Sequence, residues 1–367
     1  MSNTLFNEEQ LLLIKTARHR LHDIPELSCE EKNTKAFILN FLAEQTTLEL
    51  HDMGLWMYAV HREGAGKTTA FRADFDAIPA ENGCAAHRCG HDGHTAALLA
   101  LALLIEGKTF GQNIILLFQH GEEIGVGGAD CCKLFELEHI ERIYGCHNIP
   151  GEPMGLVLLK SGTFACASCG MQIDFIGKPT HAAYPENGIN PTPAAAQLAI
   201  DLPIEAQRIE DTLGAMTIAT IVGMYSGEKA FGVAASKGAV YATLRSEAQH
   251  GLDMLKEAAA KEAAELASKF GVEHRIALFD EFPATVNEAS VVREAEDKLI
   301  KRKIGYKYPD VPFRWSEDFG HYAKHTEALF FGIGSGEATA PLHTEGYEYP
   351  DELIEKTAEV FLGLIRE

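Results

Sequence analysis

The sequence predicts an α/β chain with a largely parallel sheet, interrupted by a second segment of α+β character. Three observations carry this expectation. Apolar runs of strand length alternate with helical patterns. These runs are apolar at nearly every position, as in strands covered on both faces. Between about 166 and 282 the texture changes, and afterwards the first pattern returns. At 367 residues the chain suits two domains. We place the first over 1–165 and 283–367, and an inserted one over 166–282.

In chain order, 8–22 and 32–45 read as amphipathic helices joined by the loop "HDIPELSCEEK". "TTAFRADFDA" is a short strand ending in Asp74 and Asp76. "HRCGHDGHTAALLALALLI" places Cys89, His91 and His94 where a leucine-rich helix begins. "NIILLFQHGEE" ends in Glu122 and Glu123, and "IERIYGCHNIP" carries His147 at its end. "EALFFGIGSG" is a further buried strand, followed by "APLHTEG" with His343. In the insertion, "CGMQIDFIGK", "AMTIATIVGMYSG" and "GAVYATLRSE" read as strands. "NPTPAAAQLAIDLPIEAQRI" and "LDMLKEAAAKEAAELASKFG" read as helices, the second closed by Gly271.

Open α/β sheets bind ligands beyond the carboxyl ends of their strands. Here those ends gather Asp, Glu and His, so the arrangement predicts a site. Cys89 and His91 are two apart, and in an extended loop both face one ion. Thiolate and imidazole suit zinc, nickel or cobalt, while imidazole with carboxylate also accommodates manganese. An isolated Cys-x-His is more often a buried thiol beside a solvated imidazole, and it gains weight here from the ligands at other strand ends. His87 and His94 read as structural neighbours of ligands. Adjacent side chains at Glu122 and Glu123 diverge, which divides labour between a metal ligand and a base acting on an activated water. Asp76 orients a ligating His or caps backbone amides.

Other classes are disfavoured. Acidic residues outnumber basic ones 53 to 32, for a net charge of -21, against the Lys- and Arg-rich surfaces that bind nucleic acid or anionic membrane. The longest apolar run, 96–105, is too short to span a bilayer. "MSNTLFNEEQLLLIK" has no basic segment followed by an apolar one, so no signal peptide is expected. The eight cysteines lack framework spacing, and Cys131 and Cys132 are adjacent, which points to reduced thiols and a cytoplasmic protein. Cys166 and Cys169 have redox-motif spacing, but a lone pair of this kind reads as buried thiols. "EGAGKTT" fails as a phosphate loop because His61 stands where the first Gly belongs. "GIGSG" and "GVGG" lack dinucleotide-loop spacing, and no HExxH helix occurs.

With these residues in view, the sequence resembles the M20 metallopeptidase superfamily. The likeness is greatest to the amidohydrolase branch of hippurate hydrolases, auxin-conjugate hydrolases and N-acetyl-diaminopimelate deacetylases. It runs in order through "HDIPELSCEE", "RADFDAIP", "HRCGHDGHTAALLALA", "FQHGEEIGVGGA", "CHNIPGEPMG", "GKPTHAAYPENGINP", "SEDFGHY" and "PLHTEGY". The resemblance implies metal ligation by Cys89, His91, Glu123, His147 and His343, with Glu122 as catalytic base. It implies an active-site role for Asp76 in supporting a ligand. His181 is similar to a residue of the lid domain that reaches a neighbouring subunit's active site. It further implies a dinuclear-metal catalytic domain carrying a smaller α+β lid that dimerises. Three features depart from the branch. His120 and Gly121 replace the Pro-Ala of FQPAEE, Arg88 precedes Cys89, and "FGVAASKG" stands where relatives have an NVIP segment.

The reading is a metal-dependent hydrolase of N-acyl amino acids or a similar small amide. It would use two divalent ions (zinc, manganese, nickel or cobalt) about 3.5–4 Å apart. Glu122 serves as base and then acid, and His181 assists at the oxyanion. Arg245 resembles a lid arginine and either meets a substrate carboxylate or forms an ion pair. A dipeptidase or carboxypeptidase is the alternative on the same core. A Cys89 thiol nucleophile and a non-catalytic metal-binding protein are the alternatives of other classes.

Overall fold

The computed structural model describes residues 5–64, 66–80 and 83–365. The first four residues of the start read above, and Ala65 of the discarded "EGAGKTT", lie outside them. The two N-terminal helices span Glu8–His22 and Lys32–Gln45. The first begins on a capping box. Asn7 Oδ1 accepts from Gln10 N at 2.8 Å, and Asn7 N donates back to Gln10 Oε1 at 3.1 Å.

An eight-stranded sheet follows the order Glu49–Asp52, Met57–His61, Asn113–Gln119, Thr68–Asp74, Arg142–Ile149, Glu327–Gly334, Val157–Leu158 and Tyr306–Lys307. The four central strands are mutually parallel. The flanking strands Met57–His61 and Val157–Leu158 pair antiparallel to them. The sheet is therefore mixed, parallel at the centre where the ligand-bearing ends lie. Thr68–Asp74, Asn113–Gln119 and Arg142–Ile149 are buried at every residue, which accounts for their continuous apolar runs.

The helix His91–Ile105 is buried at 14 of its 15 residues and contacts the helices Glu8–His22 and Asp351–Leu364. A helix apolar on all sides must be enclosed by other elements. Leu98, Leu99 and Leu101 are fully buried in the core it shares with Phe71, Tyr144 and Phe361. Gly93 is required by this packing. A Cβ there would lie 2.2 Å from the Tyr349 ring.

The chain divides into two compact units. The first comprises Met1–Phe164, Thr285–Pro312 and Asp318–Glu367, and the second comprises Ala165–Ala284 and Phe313–Glu317. The short segment Phe313–Glu317, which the sequence reading left in 283–367, clusters with the second unit. The Cys166 amide donates to the carbonyls of Phe313 and Trp315, both at 3.1 Å. The second unit holds an antiparallel sheet in the order Thr217–Ser226, Lys237–Ser246, Ala167–Ile176 and Glu273–Phe282. The helices Thr192–Leu213 and Gln249–Phe270 pack on it through Leu198, Leu202, Leu255 and Leu266. Gly271 closes the second helix at φ +68, in the left-handed conformation expected of it. Sequence reading did not single out the strand Glu273–Phe282 or the helices Ala289–Arg302 and Asp351–Leu364.

Gly93→Ala places a methyl group against a buried ring, and overpacking of this kind costs about 1–3 kcal/mol. The expected outcome is a lower urea midpoint at unchanged m-value, with the product of m and the midpoint shift equal to that amount. An unchanged midpoint would show that Tyr349 yields without cost.

Candidate metal centre

The parallel strands end on one side, and the loops beyond them bring the expected residues together. Cys89 leads into Gly90, whose φ of +100 opens the helix at His91. Side chains at 89 and 91 therefore converge across a left-handed turn, where the sequence reading expected extended backbone. A Cβ on Gly90 would lie 2.6 Å from Tyr347 Oη and 2.7 Å from Asn148 Oδ1. Only glycine meets both demands.

Cys89 Sγ lies 3.4 Å from His147 Nε2 and 3.3 Å from His343 Nε2. His343 Nε2 is 3.8 Å from Glu123 Oε1, which is 3.7 Å from His91 Nε2. Glu122 Oε2 stands 4.0 Å from the same His91 nitrogen. The two glutamates thus converge on one imidazole, where adjacent positions were expected to point apart. Donor atoms of Cys89, His91 and His147 form one group lying within 4.8 Å of one another. Those of Cys89, Glu123 and His343 form a second, and those of His91, Glu122 and Glu123 a third. All five expected ligands and Glu122 meet in one region of the first unit.

Asp76 is fully buried and takes the supporting position. His91 Nδ1 donates to its Oδ1 at 3.0 Å, which turns Nε2 toward the glutamates. Asp76 Oδ2 accepts from Ser28 Oγ at 2.7 Å and from Glu123 N at 3.0 Å. His94 is held by Asp74 Oδ1 and Asn148 Oδ1, each at 2.6 Å, so both its ring nitrogens are engaged although it groups with His91 and Asp74 at the edge of the donor cluster.

His343 has φ +62, a strained conformation for a residue with a side chain. Its amide donates to Arg88 O at 2.8 Å. That contact gives Arg88 a structural role through its backbone, while its guanidinium lies 3.9 Å from Glu345. His120 is buried 3.3 Å from Asp130 Oδ2. Arg245 donates to Arg314 O and, at 2.6 Å, to Ser316 Oγ within the second unit. His181 sits in the second unit on the short strand Thr180–His181, exposed, its Nδ1 accepting from Ala183 N at 3.1 Å.

The electrostatics favour a cation. Burial alone would lower His91, but the Asp74, Asp76 and Glu123 carboxylates overcome it and push its pKa up to about 10. Burial raises Glu123 to about 7 against the pull of His91. Burial, with Glu123 and Glu122 behind it, pushes the Cys89 thiol well up. Burial holds His147 far down, in the neutral form that ligates. His91 Nε2 and Glu123 Oε1 are buried with no hydrogen-bond partner. These orphaned imidazole and carboxylate atoms face one another beside the Cys89 sulfur, a donor set that fits a divalent metal.

Sequence reasoning missed the network beneath the site. Arg72 is buried and donates to Asp74 Oδ2 at 2.7 Å, Asp318 Oδ1 at 2.9 Å and Gln119 Oε1 at 2.7 Å. Asp318 also accepts from Gln119 Nε2 at 2.8 Å and Gly128 N at 2.6 Å. The available signal was a lone arginine inside an apolar strand, since a buried charge needs partners.

The profile of peptidase family M20/M25/M40 matches residues 70–367. The N-acetyl-L-cysteine deacetylase of Bacillus subtilis is 30% identical over 89% of this chain and 81% of its own. The N-acetyldiaminopimelate deacetylase of Oenococcus oeni is 28% identical over 98% of each. Among solved structures, a Bacillus subtilis dinuclear metal binding peptidase from the M20 family aligns with a TM-score of 0.81 at 22% identity, covering 98% of each chain. That likeness is one of fold.

Removing a group that orients a metal ligand typically weakens metal binding about 10–100-fold. Asp76→Ala should do so for Mn2+ measured by calorimetry, with a cooperative melt retained. Wild-type affinity in that variant would separate Asp76 from the centre.

Proposed function

The chain belongs to peptidase family M20/M25/M40, and on that premise we propose that it hydrolyses the amide bond of an N-acyl amino acid or a similar small conjugate. The observation that carries this reading is the convergence of Cys89, His91, Glu123, His147 and His343 with Glu122 beside them. Those five residues would hold two divalent ions, drawn from zinc, manganese, nickel and cobalt. Bound ions supply Lewis acidity that polarises the acyl carbonyl and brings deprotonation of a water near neutral pH.

The protein's own groups do the rest. Glu122, 5% exposed, takes the proton of the attacking water as the new C–O bond forms. It returns that proton to the nitrogen as the C–N bond breaks, releasing a carboxylate and an amine. Asp76 keeps His91 in one tautomer. His181 is proposed to donate to the oxyanion. The Ala183 N–H occupying its Nδ1 favours a proton on Nε2, the donor form that this task needs. Its place in the second unit is in keeping with a homodimer formed through that unit, in which 166–282 acts as the lid. The relatives named deacetylase support small acylated substrates. Among the described residues no helix is long and apolar enough to cross a membrane. All eight cysteines are free thiols, which supports a cytoplasmic setting.

A thiol mechanism at Cys89 is disfavoured. Burial and two carboxylates raise this thiol, whereas a nucleophilic cysteine needs a depressed pKa. A non-catalytic scaffold has no use for Glu122 beside the ligands.

Glu122→Gln should bind metal as the wild type does and lose about 10²–10⁴-fold in kcat. The assay is a panel of N-acetyl and N-benzoyl amino acids beside dipeptides, with metal content read in parallel. Turnover of dipeptides alone would move the reading to a peptidase. Activity that survives EDTA dialysis and is lost on thiol alkylation would overturn it.

A further inference from the structure

The turn that carries Glu122 and Glu123 is tied down in an unusual way. It closes on itself, with Val126 N and Gly127 N donating to Gly121 O and Gly125 N donating to Glu122 O. Three more of its amides donate outward, each to a carboxylate from elsewhere in the chain. Gly121 N donates to Glu31 Oε1 at 2.8 Å, Glu123 N to Asp76 Oδ2 at 3.0 Å, and Gly128 N to Asp318 Oδ2 at 2.6 Å. Asp76 also serves His91, and Asp318 belongs to the Arg72 network. Glu31 has neither occupation.

Glu31 is 4% exposed and makes no ion pair among the described residues. It stands at the N-cap of the helix Lys32–Gln45, yet its side chain makes no capping bond to that helix. Burial drives its carboxyl up to about 7, against the amides of its own residue, Gly121 and Cys29. Burying a carboxyl group is costly unless it is paired or hydrogen-bonded, and its Oε1 accepts the Gly121 N–H at the start of the glutamate turn while Oε2 is buried without a close partner.

We propose that Glu31 is a positioning residue for the metal centre: by accepting the Gly121 N–H it fixes the leading end of the turn and thereby the placement of Glu122 and Glu123. Its effect on turnover rests on the reading of Glu122 as base, and its effect on metal binding rests on Glu123 as a donor. Glu122 comes one residue after the anchored amide, and Glu123 is anchored separately through Asp76. Freeing Gly121 therefore loosens the base more directly than the ligand. Misplacement of a catalytic group by about 1 Å can cost about 10²-fold.

The test compares two substitutions of similar length. Glu31→Gln keeps an oxygen that accepts from Gly121, and Glu31→Met fills the space without an acceptor. In Glu31→Met the expected results are a kcat on the best N-acyl amino acid about 10–100-fold lower with KM within a few-fold, Mn2+ affinity lowered by up to about 10-fold, and faster hydrogen exchange of the 121–128 amides. Glu31→Gln should recover all three. If Glu31→Met has no cooperative melt, Glu31→Asp takes its place, since it keeps a carboxyl group but withdraws the acceptor by one methylene. Wild-type values in Glu31→Met, or equal impairment of the Met and Gln variants, would overturn the proposal. If the wild-type protein turns over no N-acyl amino acid, the functional reading falls, while Mn2+ affinity and amide exchange still decide the role of Glu31.

Discussion

Four carboxylates crowd a single buried imidazole. Asp76 lies 3.0 Å from His91 Nδ1, and Asp74, Glu122 and Glu123 lie 3.7, 4.0 and 3.7 Å from Nε2. Like charges about 4 Å apart repel by about 4 kcal/mol at an effective dielectric of 20. This concentration of negative charge would not persist without compensation, and much of the surrounding architecture supplies it. Arg72, fully enclosed, spans Asp74 and Asp318 from below. His94 engages the other oxygen of Asp74. Backbone amides of Glu123 and Gly128 point inward. Cys89, His147 and His343 converge on the remaining side, where a bound cation would add positive charge.

The fold makes that crowding possible. Parallel central strands deliver Asp74, Gln119 and His147 to one edge of the sheet, so residues far apart in sequence become neighbours. The helix His91–Ile105 then carries its first residue into the same space, its apolar body fixed on all sides by the core. A rigid element and short loops leave the donors few alternative positions, which preorganises the candidate site. The proposed function draws on this preorganisation more than on any one contact.

Much of this was legible in the sequence. The continuous apolar runs gave away the covered strands, and the polar residues ending them marked where the candidate site lies. Cys89, His91, Glu122, Glu123, His147 and His343 were each identifiable as donor types at strand or helix ends. Other parts were hidden for physical reasons. The direction of Glu122 and Glu123 depends on a closed turn pinned from outside, which adjacency in sequence does not encode. The antiparallel flanks of the sheet arise from short strands that carry little pattern. Glu273–Phe282 is an edge strand with polar residues on its open face, so its apolar alternation is diluted. Glu31 sits in a run of charged residues, "CEEK", where nothing marks which one turns inward.

His343 differs from the other candidate donors in its accessibility. Its side chain is 53% exposed, while that of Glu123 is 15% and His91 is fully enclosed. It also sits on a backbone conformation held by one bond to Arg88. A small chelator arriving from solvent therefore meets this imidazole before the interior donors. A bound ion would therefore be most open to exchange on the side of the PLHT loop, where the one accessible candidate donor sits on a positive-φ residue.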